Sequence, residues 1–140
     1  MKRSYFYNIE SCEHATEFDL NEVTEQLAFD SKGLLPVITQ DFATKEVLMM
    51  AWMNKEALTK TLESGLVTYW SRSRQQFWVK GETSGHTQEL KSLSIDCDGD
   101  TILCQVNQTG AACHTGRKNC FYLAVDNEAQ KVRVVGNQPS

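Results

Sequence analysis

The stretch IDCDGD places three carboxylates and one thiol, Asp96, Cys97, Asp98 and Asp100, within five consecutive residues. So dense a group of like charges repels itself, and each carboxylate raises the pKa of its neighbours unless a cation sits among them. In an extended segment side chains alternate faces, which would turn the three aspartates to one side and Cys97 to the other. Three oxygens on one face suit a hard cation such as Mg²⁺, whereas a thiolate on the opposite face suits a softer one such as Zn²⁺. An acidic turn between two strands accounts for the same residues without any metal. An EF-hand does not: counted from Asp96, the positions that need Gly and Glu hold Thr101 and Asn107.

A second group is CHTGRKNC, in which Cys113 and Cys120 bracket His114, Arg117 and Lys118. The spacing is wider than that of the usual zinc knuckle, but the two cations favour thiolate over thiol. With Cys97 these make three candidate sulfur ligands, and a three-ligand zinc leaves its fourth tetrahedral position open for water. Three unrelated cysteines in or near a core fit the spacing as well. Cys104, inside the apolar run TILCQV, and Cys12 fit only that description and are given no role.

A third group is KGETSG. Gly81 and Gly85 let backbone N–H groups approach an anion, while Lys80, Thr83 and Ser84 supply donors. It suits a phosphate but lacks the Walker pattern. Arg72 and Arg74 in WSRSR either face the same cleft or form a solvated strand face.

Elements of strand length must position these groups. LLPVITQD and EVLMMAWM read as a hairpin joined by the polar FATK, with Pro36 at an edge or a strand start. Asn54 is placed to cap a helix running through Glu63, with Ala57, Leu58, Thr61 and Leu62 on one face and Gly65 ending it. VTYWSRSR and QQFWVKG read as a second hairpin, HTQELKSLSIDC and TILCQVNQ as further strands, and CFYLAV and KVRVV as strands joined at DNEAQ. The expected class is α+β, a mainly antiparallel β core with one or two packed helices. Residues 1–30, polar and acidic with weak periodicity in NEVTEQLAF, read as a short helix or a loosely attached arm, and 31–140 as a single domain.

The 140 residues suffice for one core and not for two independent ones. A net charge of -4 gives no general attraction to nucleic acid or to an anionic membrane, so the expected partner is a small molecule. No apolar run approaches the ~20 residues of a membrane span. Lys2 and Arg3 precede no apolar stretch, as a secretory leader would require. Five cysteines, an odd number, argue against a disulfide framework. The expected location is the cytoplasm.

Taken in order, SRSRQ, WVKGETSGH, DCDGD and ACHTGRKNCF resemble the phosphoribosyl-AMP cyclohydrolase family, and the similarity runs from GLLPVITQD to CHTGRKNCFY. The resemblance implies that Asp96, Asp98 and Asp100 hold Mg²⁺ and that Cys97, Cys113 and Cys120 hold Zn²⁺. It implies an intertwined homodimer with zinc at the interface, Cys97 from one chain and the other two from its partner. It further implies hydrolysis of phosphoribosyl-AMP at the N1–C6 bond of the adenine ring, in histidine biosynthesis, by a hydroxide made available at neutral pH by zinc. His114, beside a zinc ligand, is the expected general acid/base, with His86 a weaker candidate. Arg72, Lys80, Thr83 and Ser84 are expected to bind substrate. Nucleobase deaminases also attack a purine C6 with zinc hydroxide, but their H-x-E and P-C-x-x-C framework is absent. Some family members carry a second, pyrophosphohydrolase domain; the chain ends about 20 residues past Cys120, so that activity is expected to be absent.

Two rivals predict different behaviour. A zinc-stapled binding module folds with metal and hydrolyses nothing. A redox protein using Cys113 and Cys120 works without metal, but lacks C-x-x-C and leaves the aspartates unexplained.

Overall fold

The computed structural model describes residues 4–139; Lys2 and Arg3 lie outside them. Three short helices and eight strands follow in the order α1 (Ser4–Ile9), α2 (Leu20–Glu25), β1 (Leu35–Asp41), β2 (Val47–Met53), α3 (Lys55–Ser64), β3 (Thr68–Ser71), β4 (Gln76–Val79), β5 (Gln88–Ile95), β6 (Ile102–Gln108), β7 (Leu123–Asp126) and β8 (Lys131–Val134). The class is α+β. Among the described residues no helix is long and apolar enough to cross a membrane.

The central sheet has the order β2-β1-β6-β5. Its outer pairings, β1 with β2 and β5 with β6, are antiparallel as expected. The core is mainly antiparallel, and the middle pairing is the exception: β1 and β6 run parallel, with Val37 opposite Ile102, so the sheet is mixed. Pro36 has no N–H to give to a ladder, and it tolerates an interior strand because it precedes the first β6 pair at Val37. The start of a strand is thus where it sits, and not an edge.

Helix α3 forms where its caps dictate. The Asn54 side chain accepts the Ala57 N–H at 2.8 Å, and Gly65 ends the helix in the left-handed region at φ 78°. Ala57, Leu58 and Thr61 face the core. Thr61 Oγ1 donates to the Ala57 carbonyl and accepts the Thr68 N–H, each at 2.9 Å, which fixes the helix to the start of β3.

The core gathers Leu35, Val37, Leu48, Met53, Val67, Ile102 and Val106, all nearly inaccessible to water. Each such aliphatic side chain contributes about 1.5–3 kcal/mol by leaving water. Phe6 of α1 and Leu27, just after α2, belong to the same cluster, so the first 30 residues pack on the domain at these points. A polar chain crosses the core: Tyr69 OH donates to Gln88 Oε1 at 2.6 Å, with Thr39 Oγ1 also 2.6 Å away. Gln88 Nε2 then donates to Gln108 Oε1 at 2.9 Å. Thr39, Tyr69 and Gln88 therefore have the partners their burial demands.

Candidate active site

Residues 96–100 form the turn between β5 and β6. Asp96 Oδ1 accepts the N–H of Asp98 at 3.2 Å and of Asp100 at 3.0 Å, and Gly99 closes the turn with φ 70°. This folding of the loop around one carboxylate brings the three aspartates together, and the strand alternation expected for them does not apply beyond Ile95. One oxygen from each lies within 4.8 Å of the others. Burial works to raise Asp96, but the N–H groups of Asp100, Asp98 and Thr101 outweigh it and hold that carboxyl below its ordinary value. Asp100 is raised, first by its hydrogen bond with Asp96 and then by burial and the repulsion of its neighbours. Three converging hard oxygens that repel one another fit a divalent cation such as Mg²⁺.

The CHTGRKNC segment is closed by backbone bonds. Ala112 N–H donates to Lys118 O at 3.1 Å, Cys113 N–H to Arg117 O at 3.2 Å, and Cys120 N–H to Leu48 O on β2 at 2.8 Å. Cys113 and Cys120 are thereby brought side by side. Burial opposes ionisation of Cys113, but Thr115, whose hydroxyl donates to the sulfur at 3.1 Å, together with Cys120 and Arg117 brings this thiol below its ordinary value. Cys120 is an exposed residue whose sulfur is screened beside Cys113, and that screening with the neighbouring thiol pushes it up to about 11. Two adjacent sulfurs fit a soft cation. Buried Cys104 is pushed up to about 12 by burial alone.

Cys97 does not join this pair within one chain. Among the described residues the three aspartates are the only group of three candidate metal ligands whose donor atoms converge. Cys97 instead lines a groove with Phe6, Ile9 and Phe18.

A cavity of about 540 Å³ joins the two other sequence groups. Lys80, Thr83 and Ser84 form one part of its wall, and Cys113 and His114 another. Lys80 Nζ spans them, donating to the Ala112 carbonyl at 2.6 Å, and its half-buried position pulls the ammonium below its ordinary value against the attraction of Cys120 and Cys113. Arg72 lies elsewhere, its guanidinium 4.5 Å from the centre of the Trp52 ring, and it is Arg74 that reaches the cavity. The tight turn at 72–75 separates the two arginines.

His86 also lines this cavity. A Cβ on Gly81 would fall 2.3 Å from the His86 carbonyl carbon, and one on Gly110 would fall 2.6 Å from the His86 ring. Gln108 Nε2 adds a hydrogen bond to the His86 carbonyl at 3.3 Å. Sequence reasoning ranked this histidine second because nothing local marks it; the glycines that clamp it lie five residues before and 24 after. Trp78, with Lys80 Nζ 5.4 Å from its ring centre, is a further cavity residue that pattern alone assigned to a strand.

The family model described as phosphoribosyl-AMP cyclohydrolase matches residues 49–122, which include the aspartate turn, the KGETSG loop and the CHTGRKNC segment. The chain belongs to the phosphoribosyl-AMP cyclohydrolase family. A phosphoribosyl-AMP cyclohydrolase of Hydrogenovibrio crunogenus is 55% identical over 127 residues, covering 91% of this chain and 86% of that one. Those of Cereibacter sphaeroides and Ruegeria pomeroyi are 63% and 62% identical, covering 76% and 78% of this chain and 89% and 91% of theirs. As a cyclohydrolase the chain is an enzyme, a hydrolase of histidine biosynthesis. All the cyclohydrolase residues assembled here, from Arg72 to Cys120, fall inside the matched segment.

Proposed function

We propose that this chain hydrolyses phosphoribosyl-AMP, opening the adenine ring between N1 and C6 to give the formimino-carboxamide ribotide, the third reaction of histidine biosynthesis. The observation that carries this reading is the cavity in which the Lys80–Ser84 donors meet Cys113 and His114. Phosphate-binding groups and a thiol ligand on one wall are what a phosphorylated nucleotide and a hydrolytic centre require.

In this reading Cys113 and Cys120, with Cys97 of a second copy, hold Zn²⁺, and Asp96, Asp98 and Asp100 hold Mg²⁺. Zinc so held supplies Lewis acidity that makes water nucleophilic at neutral pH. Lys80, Thr83, Ser84 and Arg74 hold phosphate, Trp78 offers a ring face to the base, and His114 moves the proton to the opening ring. The clamp on His86 favours it as the group that fixes substrate orientation. The ligand thiols must stay reduced, which suits the cytoplasm. The small negative net charge gives no general attraction to nucleic acid or an anionic membrane.

The homodimer is supported by the β7–β8 hairpin. Leu123 pairs with Val134 and Val125 with Val132, so one face of an isolated two-stranded sheet is wholly apolar. All four residues are more than half exposed. Such a hairpin is marginal alone and calls for a covering surface. Cys120 lies three residues before its first strand and Cys97 lines an apolar groove, and in this reading the dimer contact unites the separated thiols.

The test is to strip metal, supply phosphoribosyl-AMP, and follow ring opening by absorbance with Zn²⁺ and Mg²⁺ added separately and together. Turnover needs both. Cys113→Ser abolishes it, and Asp98→Asn weakens it in a way that extra Mg²⁺ partly restores. Full activity of either variant at low metal would contradict the assignment, and ring opening without metal would overturn the metal-dependent reading.

A further inference from the structure

The aspartate turn is held from outside by residues that the family model does not cover. Gly99 stands between Asp98 and Asp100, so its backbone angles set how those two carboxylates face each other. Three constraints fix it. Its N–H donates to the Asp96 carbonyl at 3.1 Å, and its own carbonyl accepts the Ala28 N–H at 2.8 Å. Its open face is filled by the Phe6 ring: a Cβ on Gly99 would fall 2.1 Å from Cε2 and 2.5 Å from Cδ2 and Cζ. Phe6 is buried at 5% exposure and is held edge-on by Tyr5, ring centres 5.2 Å apart.

Resting on the reading of the three aspartates as Mg²⁺ ligands, we propose that Phe6 is a positioning residue for that metal, a ring from the N-terminal segment that locks the ligand turn through its glycine. The turn has no side chain of its own at Gly99, and glycine is the residue with most conformational freedom to lose. Without the ring, nothing on that face opposes rotation about Gly99, and ordering the turn is left to metal binding itself. Groups that only orient ligands typically change metal affinity by about 10–100-fold when removed. The choice of ring follows from the site: it is flat, apolar and rigid, and adds no competing donor beside the carboxylates.

The test uses the zinc-loaded full chain, with Mn²⁺ as the probe and its affinity read from the free-ion EPR signal. Wild type should bind Mn²⁺ in a manner removed by Asp98→Asn. Phe6→Ala should weaken that binding about tenfold or more, and Phe6→Leu should recover most of it. Leu58→Ala, a core truncation of comparable thermal cost in α3, should leave affinity unchanged. Equal Mn²⁺ affinity in Phe6→Ala and wild type, or an equal loss in Leu58→Ala, overturns the inference while the metal site stands. If Phe6→Ala does not fold, Phe6→Val, which also vacates the space over Gly99, takes its place and is read against Leu58→Ala in the same way. Wild-type binding indifferent to Asp98→Asn overturns both the site and the inference.

Discussion

Lys80 Nζ donates to the carbonyl of Ala112 at 2.6 Å, joining the KGETSG loop to the residue before Cys113. The ammonium is half-buried between two thiols and the Trp78 ring, so its stem packs while its charge serves the site. Lys80→Met keeps the stem and removes the charge. A hydrogen bond to a charged group is worth about 1.5–3 kcal/mol, so kcat/KM should fall roughly ten- to a hundredfold. Steady-state kinetics at saturating metal measure this, and wild-type kcat/KM would refute the role.

Gly81 and Gly85 both have positive φ, 79° and 82°, but their surroundings differ. A Cβ on Gly81 meets backbone atoms of His86 and Thr87 at 2.3–2.4 Å, while one on Gly85 meets nothing within 4 Å. Gly85→Ala should therefore cost only backbone strain, about 1–2 kcal/mol. Gly81→Ala should cost about 3 kcal/mol or more and displace His86. Denaturant midpoints of the two variants give the comparison, and equal losses would refute it.

Two aspartates cap turns and tie stability to acid. Leu34 and Lys32 N–H groups bond Asp30 Oδ1 at 3.0 and 2.8 Å, holding that carboxyl below its ordinary 3.8. Thr44 and Ala43 N–H groups do the same for Asp41, each at 2.9 Å, against a smaller opposing effect of burial. With the folded-state values depressed, the unfolded chain takes up protons first. Their contribution is complete above the unfolded value of 3.8 and is lost as pH falls through the folded ones. Urea midpoints of the Asp30→Asn, Asp41→Asn double variant should vary less than those of wild type between about pH 5 and pH 3. Identical pH profiles would count against the assignment.

Val125, at 76% exposure, lies on the apolar face of the β7–β8 hairpin. Val125→Lys places an ammonium there without touching a ligand. If the proposed dimer forms through this face, sedimentation should show it replaced by monomer, with the proposed zinc lost in step. A variant that stays dimeric and zinc-loaded would put the interface elsewhere.

Much of this was legible where a local signal is strong. Asn54 and Gly65 bound α3 in the sequence and in the fold, because a cap acts through its nearest neighbours. The aspartates and the CHTGRKNC cysteines are marked by spacing. What local pattern does not carry is the choice of strand partner: Val37 and Ile102 give no hint that their strands run parallel. Nor did alternation foresee that Asp96 would gather its neighbours by accepting their N–H groups. Arg72 and Arg74 look equivalent in SRSR, and only the turn between β3 and β4 separates them. Phe6, one ring in a polar arm, carries no signal that it will meet a glycine 93 residues away.

The parallel pair at the centre of the sheet also sets an order of events during synthesis. Val37 leaves the ribosome long before Ile102 exists, and at roughly 5–20 residues per second the gap lasts several seconds. Throughout that interval β1 shows an unsatisfied edge to its surroundings, open to chaperones or to stray strands. Since the aspartate turn leads directly into β6, the turn that gathers the three carboxylates is anchored on both sides only as that edge closes.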